Sequence, residues 1–144
     1  MLTSAQCLAK YGEPDLLFER TWMRRYIVPA HIGIRLQALP RHIYCNKDLL
    51  APIEKAFVEL IKNGWGEQLR SWDGCFNVRP KKLNPKALSL HSWGIAVDIN
   101  AAWNQLRKPP SLPQGFVECW KAAGFDWGGD WKTPDGMHFQ LAII

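Results

Sequence analysis

The four cysteines of this chain, Cys7, Cys45, Cys75 and Cys119, include no C-x-x-C pair. That absence excludes a zinc ribbon built on paired thiolates. Their scatter reads instead as free, buried thiols made in a reducing compartment. Long hydrophobic runs are missing too. No stretch approaches the roughly 18 apolar residues of a membrane span, so no stable membrane insertion is expected. The opening residues, Met1 to Cys7, lack a basic segment followed by an apolar run. No secretory signal is therefore expected, and synthesis in the cytoplasm is. Helix-turn-helix, zinc-finger and RNA-recognition signatures are also lacking, which argues against a nucleic-acid partner despite the formal charge of +5. There is no internal repeat and no low-complexity tract.

What is present suits one folded unit. The 144 residues are 47% apolar, enough for a core and too many for disorder. A single domain over 1–144 is expected, with residues 1–25 forming a short helix and an arm packed on it, and the chain is expected to be a monomer. Thr3 or Ser4 can cap the first helix and Gly12 can stop it. Tyr26 to Pro29 and Ile32 to Leu36 read as short strands or extended segments, and Arg41 to Asn46 as a β-like run. The clearest helix runs from Leu49 to Asn63, where Leu50, Ile53, Phe57, Leu60 and Ile61 form one apolar stripe. Leu69 to Trp72 reads as a strand followed by a turn at Asp73-Gly74. Phe116, Val117, Trp120 and Ala123 mark a short helix ended by Gly124. Of the eight tryptophans, Trp93, Trp103, Trp127 and Trp131 could line a groove.

Two separated stretches carry the chemistry. In Ser89-Leu90-His91-Ser92-Trp93-Gly94-Ile95-Ala96-Val97-Asp98-Ile99-Asn100, the apolar Ile95, Val97 and Ile99 alternate with Ala96 and Asp98. That period reads as a strand with Asp98 facing away from the core. Gly94 allows a tight turn or a close backbone approach that returns His91 towards Asp98. The tail repeats the pattern. Met137, Phe139, Leu141 and Ile143 share one face, and His138, Gln140 and Ala142 the other. If the two strands are antiparallel neighbours, Asp98 and His138 emerge together. Two imidazoles and a carboxylate form a known catalytic zinc set with a fourth position open. Spacing alone leaves this reading open beside an ordinary hydrogen-bonded polar cluster. His31 and His42 have no partner at metal spacing.

The pattern Ser89-x-His91-x-x-Gly94-x-Ala96-x-Asp98, followed by Asp135-x-x-His138-Phe139, resembles the zinc D,D-peptidase family. That family includes vancomycin-resistance-type D-Ala-D-Ala carboxypeptidases and phage endolysins that cut the L-alanyl-D-glutamate bond of peptidoglycan. The resemblance implies a small α+β fold with an antiparallel sheet and packing helices, shared with the hedgehog domain. It implies Zn2+ held by His91, Asp98 and His138, with Asp135 as general base to zinc-activated water. Aspartate at the base position, and the Phe125-x-Trp127-Gly128-Gly129-Asp130-Trp131 run, resemble the L-Ala-D-Glu endopeptidase branch. Ser89 is similar to a family serine that supports a ligand or the substrate, and also fits a plain turn serine. Arg79 could stabilise an oxyanion or clamp a carboxylate. The expected partner is the peptidoglycan stem peptide, reached at the bacterial wall during phage lysis or from a virion. The basic cluster at Arg79, Lys81, Lys82 and Lys86 would attract its carboxylates. The alternatives are a D-Ala-D-Ala carboxypeptidase and a non-catalytic wall-binding module.

Overall fold

The computed structural model describes residues 1–144. It is an α+β fold. Helix α1 (Ser4–Tyr11) starts at Thr3, whose side chain accepts from the Gln6 amide while Gln6 reaches back, and it stops at Gly12. Asp15 caps α2 (Leu16–Trp22) by accepting from the Phe18 amide at 2.9 Å. The expected arm over 16–25 therefore divides into this helix and a strand, β1 (Met23–Ile27), which pairs antiparallel with β2 (His42–Asn46).

Between these strands the sequence expectation is corrected. Residues 32–36 are not extended: α3 (Ala30–Gly33) begins after Pro29 and its hydrogen bonding runs on to Leu36. Ile32, Ile34 and Leu36 alternate, but Ile32 and Leu36 are also one helical turn apart. Both are fully buried, whereas Ile34 is exposed, so the turn is the period that operates here.

Helix α4 (Leu50–Lys62) buries Ile53, Ala56, Phe57 and Leu60 as a single stripe. Asn46 initiates the 3-10 turn before it by accepting from the Asp48 amide at 2.9 Å. The second sheet has four antiparallel strands: β3 (Trp72–Gly74), β4 (Ala96–Ile99), β5 (Phe125–Trp127) and β6 (His138–Leu141), in the order β3-β4-β6-β5. The strand entering the site is thus 72–74 and not 69–72, because Gly66–Gln68 closes a 3-10 turn first. Asp73 and Gly74 belong to that strand, and the register is irregular there. β6 ends at Leu141, which leaves Ile143 exposed instead of on the core face. Helix α5 (Gln114–Ala122) inserts Trp120 against Phe57, Phe125 and Phe139, the last stacked at 4.7 Å. One continuous cluster of 31 buried apolar residues runs under both sheets.

Trp93 belongs to that cluster, not to a groove. It is 1% exposed, and its indole N–H donates to the Gly12 carbonyl at 2.8 Å. This anchors the 3-10 turn Leu90–Trp93 to the end of α1. Gly94 then reverses the chain at φ 67 and ψ 26, and a Cβ there would lie 2.8 Å from the Asn46 nitrogen. Both the left-handed backbone and the close approach require glycine. Gly94→Ala is expected to lower unfolding free energy by about 2 kcal/mol or more, read by urea titration of the metal-free protein. An unchanged midpoint would show that the turn tolerates a side chain.

Candidate metal centre

Asp98 and His138 are direct cross-strand partners in the β4–β6 register. The adjacency expected from the two alternating stretches is therefore present. His91 approaches from the 3-10 turn that Gly94 folds back. Its Nε2 lies 3.3 Å from Asp98 Oδ1 and 3.2 Å from His138 Nδ1. His138 Nδ1 lies 3.4 Å from the same oxygen. The three side chains form a nearly equilateral triangle. His91 and His138 are 3% and 6% exposed, so water does not solvate these atoms freely.

The outer nitrogens define what faces inward. His91 Nδ1 lies 2.7 Å from the Cys75 carbonyl, which can only accept, so Nδ1 carries the proton. His138 Nε2 lies 3.0 Å from Gln140 Oε1 and donates to it. In the neutral rings, His91 Nε2 and His138 Nδ1 therefore present lone pairs to one another. Asp98 Oδ1 is buried, and its contacts to both rings lack hydrogen-bond alignment. Three electron-pair donors converge with no proton between them. This is an unfavourable arrangement until a cation or a proton enters.

The spacing fits zinc. Three corners of a tetrahedron with bonds of about 2.0–2.1 Å lie about 3.3–3.4 Å apart. The observed sides, 3.2, 3.3 and 3.4 Å, match that figure. The three residues also form the one group of His, Cys, Asp or Glu side chains in the chain whose ligand atoms converge within 4.8 Å. His31 and His42 take no part. All four cysteines are free and buried, as expected, and none contributes a ligand.

Electrostatics follow from the same contacts. Burial pushes the Asp98 carboxyl upward, but its close contacts with the His138 and His91 rings outweigh that and hold Asp98 well below the usual carboxylate range. A proton and a metal cation would compete for this one site. Asp135 lies in the turn preceding β6. Burial raises its carboxyl first, the His138 charge opposes the rise, and Asp98 adds to it. Its Oδ1 is buried without a hydrogen-bond partner. Gly128 lets the neighbouring loop close on this turn, since a Cβ there would run into the Asp135 backbone oxygen. The run from Phe125 to Trp131 is β5 followed by a 3-10 turn, Gly128–Asp130.

Asp135, Asp98 and His138 line a cleft of about 250 Å³. Ser89, Arg79, Lys81, Lys82 and Trp131 line it as well. Ser89 Oγ accepts from the His91 amide at 3.4 Å and so starts the turn that carries the ligand. The Arg79 guanidinium has no carboxylate partner, and its one hydrogen bond is to the Pro80 carbonyl at 3.5 Å. Trp131 lies 5.2 Å from the His138 ring. Trp127 packs on Phe139 behind the sheet, and Trp103 lies under Arg70, so neither lines this cleft. A second cavity, of about 240 Å³, reaches His91 and Asp98 from the β3 side, past Asp73, Gly74, Cys75 and Asn77. Arg79 borders both.

Two groups escaped sequence reasoning. The Cys75 carbonyl is backbone and has no residue signature. Gln140 was legible as a neighbour of His138 on one strand face, two residues on, but not as its hydrogen-bond partner.

Residues 83–141 match the family model described as D-alanyl-D-alanine carboxypeptidase, of the zinc peptidase family that the motifs resemble. The matched segment contains His91, Asp98, Asp135 and His138, and residues 1–82 lie outside it. No solved structure matches the chain.

Zinc titration is expected to give one site per chain and to raise the melting temperature, with about 2.7 kcal/mol of stabilisation at free zinc a hundredfold above Kd. His138→Ala and Asp98→Ala should remove the effect. Gln140→Leu should weaken zinc by about 10- to 100-fold and lower metal-free stability by about 1–3 kcal/mol, because the buried His138 Nε2–H loses its acceptor. Calorimetry and thermal melts read both quantities. Equal zinc affinity in Gln140→Leu would remove Gln140 from the site.

Proposed function

We propose that this chain is a zinc-dependent peptidoglycan peptidase of the endolysin type that cuts between L-Ala and D-Glu of the stem peptide. The observation that carries the reading is access to the His91-Asp98-His138 triangle from two sides. One cavity reaches it from the β6 side and another from the β3 side. An endopeptidase must accommodate several residues on both sides of the bond it breaks, whereas a carboxypeptidase needs room for only one residue beyond it.

His91, Asp98 and His138 would hold the ion. A zinc ion, when bound, lowers the pKa of water and polarises a carbonyl. Asp135 supplies the proton chemistry. Its carboxylate borders the same cleft as Asp98 and His138, and it has an oxygen free of other partners. It takes one proton from the attacking water and delivers it to the amide nitrogen as the C–N bond breaks. The water oxygen stays on the carbonyl carbon, giving a carboxylic acid and a free amine. Arg79 borders both cavities without an ionic partner, a position suited to the charge developing on the carbonyl oxygen. Ser89 positions His91 through its amide. The site of action would be the bacterial wall, during lysis or from a virion.

A second reading rests on the matched family, whose description is D-alanyl-D-alanine carboxypeptidase. Mass spectrometry of digested muropeptides separates the two. Endopeptidase action leaves a peptide beginning at D-Glu, and carboxypeptidase action releases free D-Ala. Asp135→Ala is expected to keep zinc and to lose hydrolysis by about 10²- to 10⁴-fold. Full activity in that variant would remove the general-base role.

A further inference from the structure

The two cavities flanking the metal triangle are not equivalent. The one on the β6 side is lined by Lys81 and Lys82 in addition to Arg79. The one on the β3 side shares Arg79 but has neither lysine, and it carries Asp73 at its rim. The only ion pairs of lysine or arginine in the chain are Lys10 with Asp48 and Lys121 with Asp130. Lys81 and Lys82 therefore present uncompensated charge. The segment bearing them is tied at its base. The Ser89 amide donates to the Arg79 carbonyl at 2.9 Å, the Lys81 amide donates to the Ala87 carbonyl at 2.8 Å, and Pro80 bridges Leu88. The cations are thus held on a two-stranded loop against the cleft and not on a free tail.

The position of the base gives the substrate a direction. A group that returns a proton to the leaving nitrogen must lie on that nitrogen's side of the broken bond. Asp135 borders the β6-side cavity only. The part of the substrate released as the amine consequently occupies the cavity that Lys81 and Lys82 line. The acyl part extends towards Asp73. The Lys82 charge also acts on Asp135, where it opposes the rise that burial produces. Of the two lysines, Lys82 is the one whose charge reaches the proposed base.

We infer that Lys82, supported by Lys81, is the specificity-determining residue for a carboxylate on the residue directly after the cleaved bond. The inference rests on the peptidase reading and on Asp135 as its base. A stem peptide whose D-Glu keeps its free α-carboxylate meets this demand, and one amidated to D-isoglutamine does not. Two cations at the edge of the cleft favour a carboxylate over the neutral amide of the same shape.

The test uses a pair of synthetic stem peptides, identical except for α-carboxylate or α-carboxamide on D-Glu, with the zinc-loaded full chain. Wild type is expected to favour the carboxylate by tenfold or more in kcat/KM, mainly through KM. Lys82→Gln should bring the ratio within about twofold of unity, and Lys82→Arg should restore part of the preference. Calorimetry of the two amine products on wild type and Lys82→Gln gives the same comparison without turnover. Equal kcat/KM for both peptides in wild type, or a preference that survives Lys82→Gln, would overturn the inference. Selective product binding with no cleavage of either peptide would keep the carboxylate site and overturn the peptidase reading. Absence of both selectivity and cleavage would overturn the two together.

Discussion

Two imidazole lone pairs and a carboxylate oxygen meet within 3.2–3.4 Å with no hydrogen between them, and the local structure answers to that convergence. Left empty of charge it is repulsive, because burial removes the water that would otherwise separate the dipoles. It persists because each ring is fixed from behind. The Cys75 carbonyl and the Gln140 amide oxygen hold the outer N–H groups, so neither ring can turn a donor inward without losing a bond. The lone pairs are thus directed by the folded chain before any ion arrives. That preorganisation reduces the cost of assembling the ligands.

The fold supplies this geometry through register and not through local sequence. Asp98 faces His138 because β4 and β6 pair with Val97 opposite Phe139. The residues beneath that pair are fully buried, and Phe139 is stacked on Trp120. A one-residue slip would send Asp98 into this core and an apolar residue into the cleft, so packing selects the register that makes the site. His91 is positioned by a different device. Trp93 is locked into the core and bonded to Gly12, and the left-handed Gly94 folds the chain sharply after it. The ligand turn is consequently tied to α1, far away in sequence. This gives the N-terminal helix a role in the site although it lies outside the segment matched by the family model.

Much of this was legible in the residues. The period-two pattern put Asp98 on one face of its strand and His138 on one face of another, and capping chemistry located the first helix and α4. What the pattern could not contain was pairing partner and ring orientation, which depend on contacts between distant segments. Residues 32–36 illustrate the ambiguity of short apolar runs. Ile32 and Leu36 satisfy a strand period and a helical turn equally, and the α3 hydrogen bonds decide between them. Trp93 shows the converse error. A tryptophan within a metal motif invites a role in the cleft, yet its large ring is what fastens that motif to the core.

The cleft's asymmetry adds a constraint that the metal triangle lacks. Seen from the ligands alone, a peptide could lie across the site in either direction. In the proposed mechanism Asp135 would break that equivalence on one side through proton transfer, and Lys81 and Lys82 would break it on the same side through charge. These two devices would act at different moments, since charge selects an orientation on approach while a base acts only when the bond breaks. Exposed charges are screened within about 8 Å at physiological salt, so the lysines can discriminate only among groups close to the reacting bond. A carboxylate farther along the wall polymer would add general attraction without fixing the direction. In that mechanism the information that aligns the chain would reside in the residue beside the leaving nitrogen, because the proposed base and the cations border one cavity.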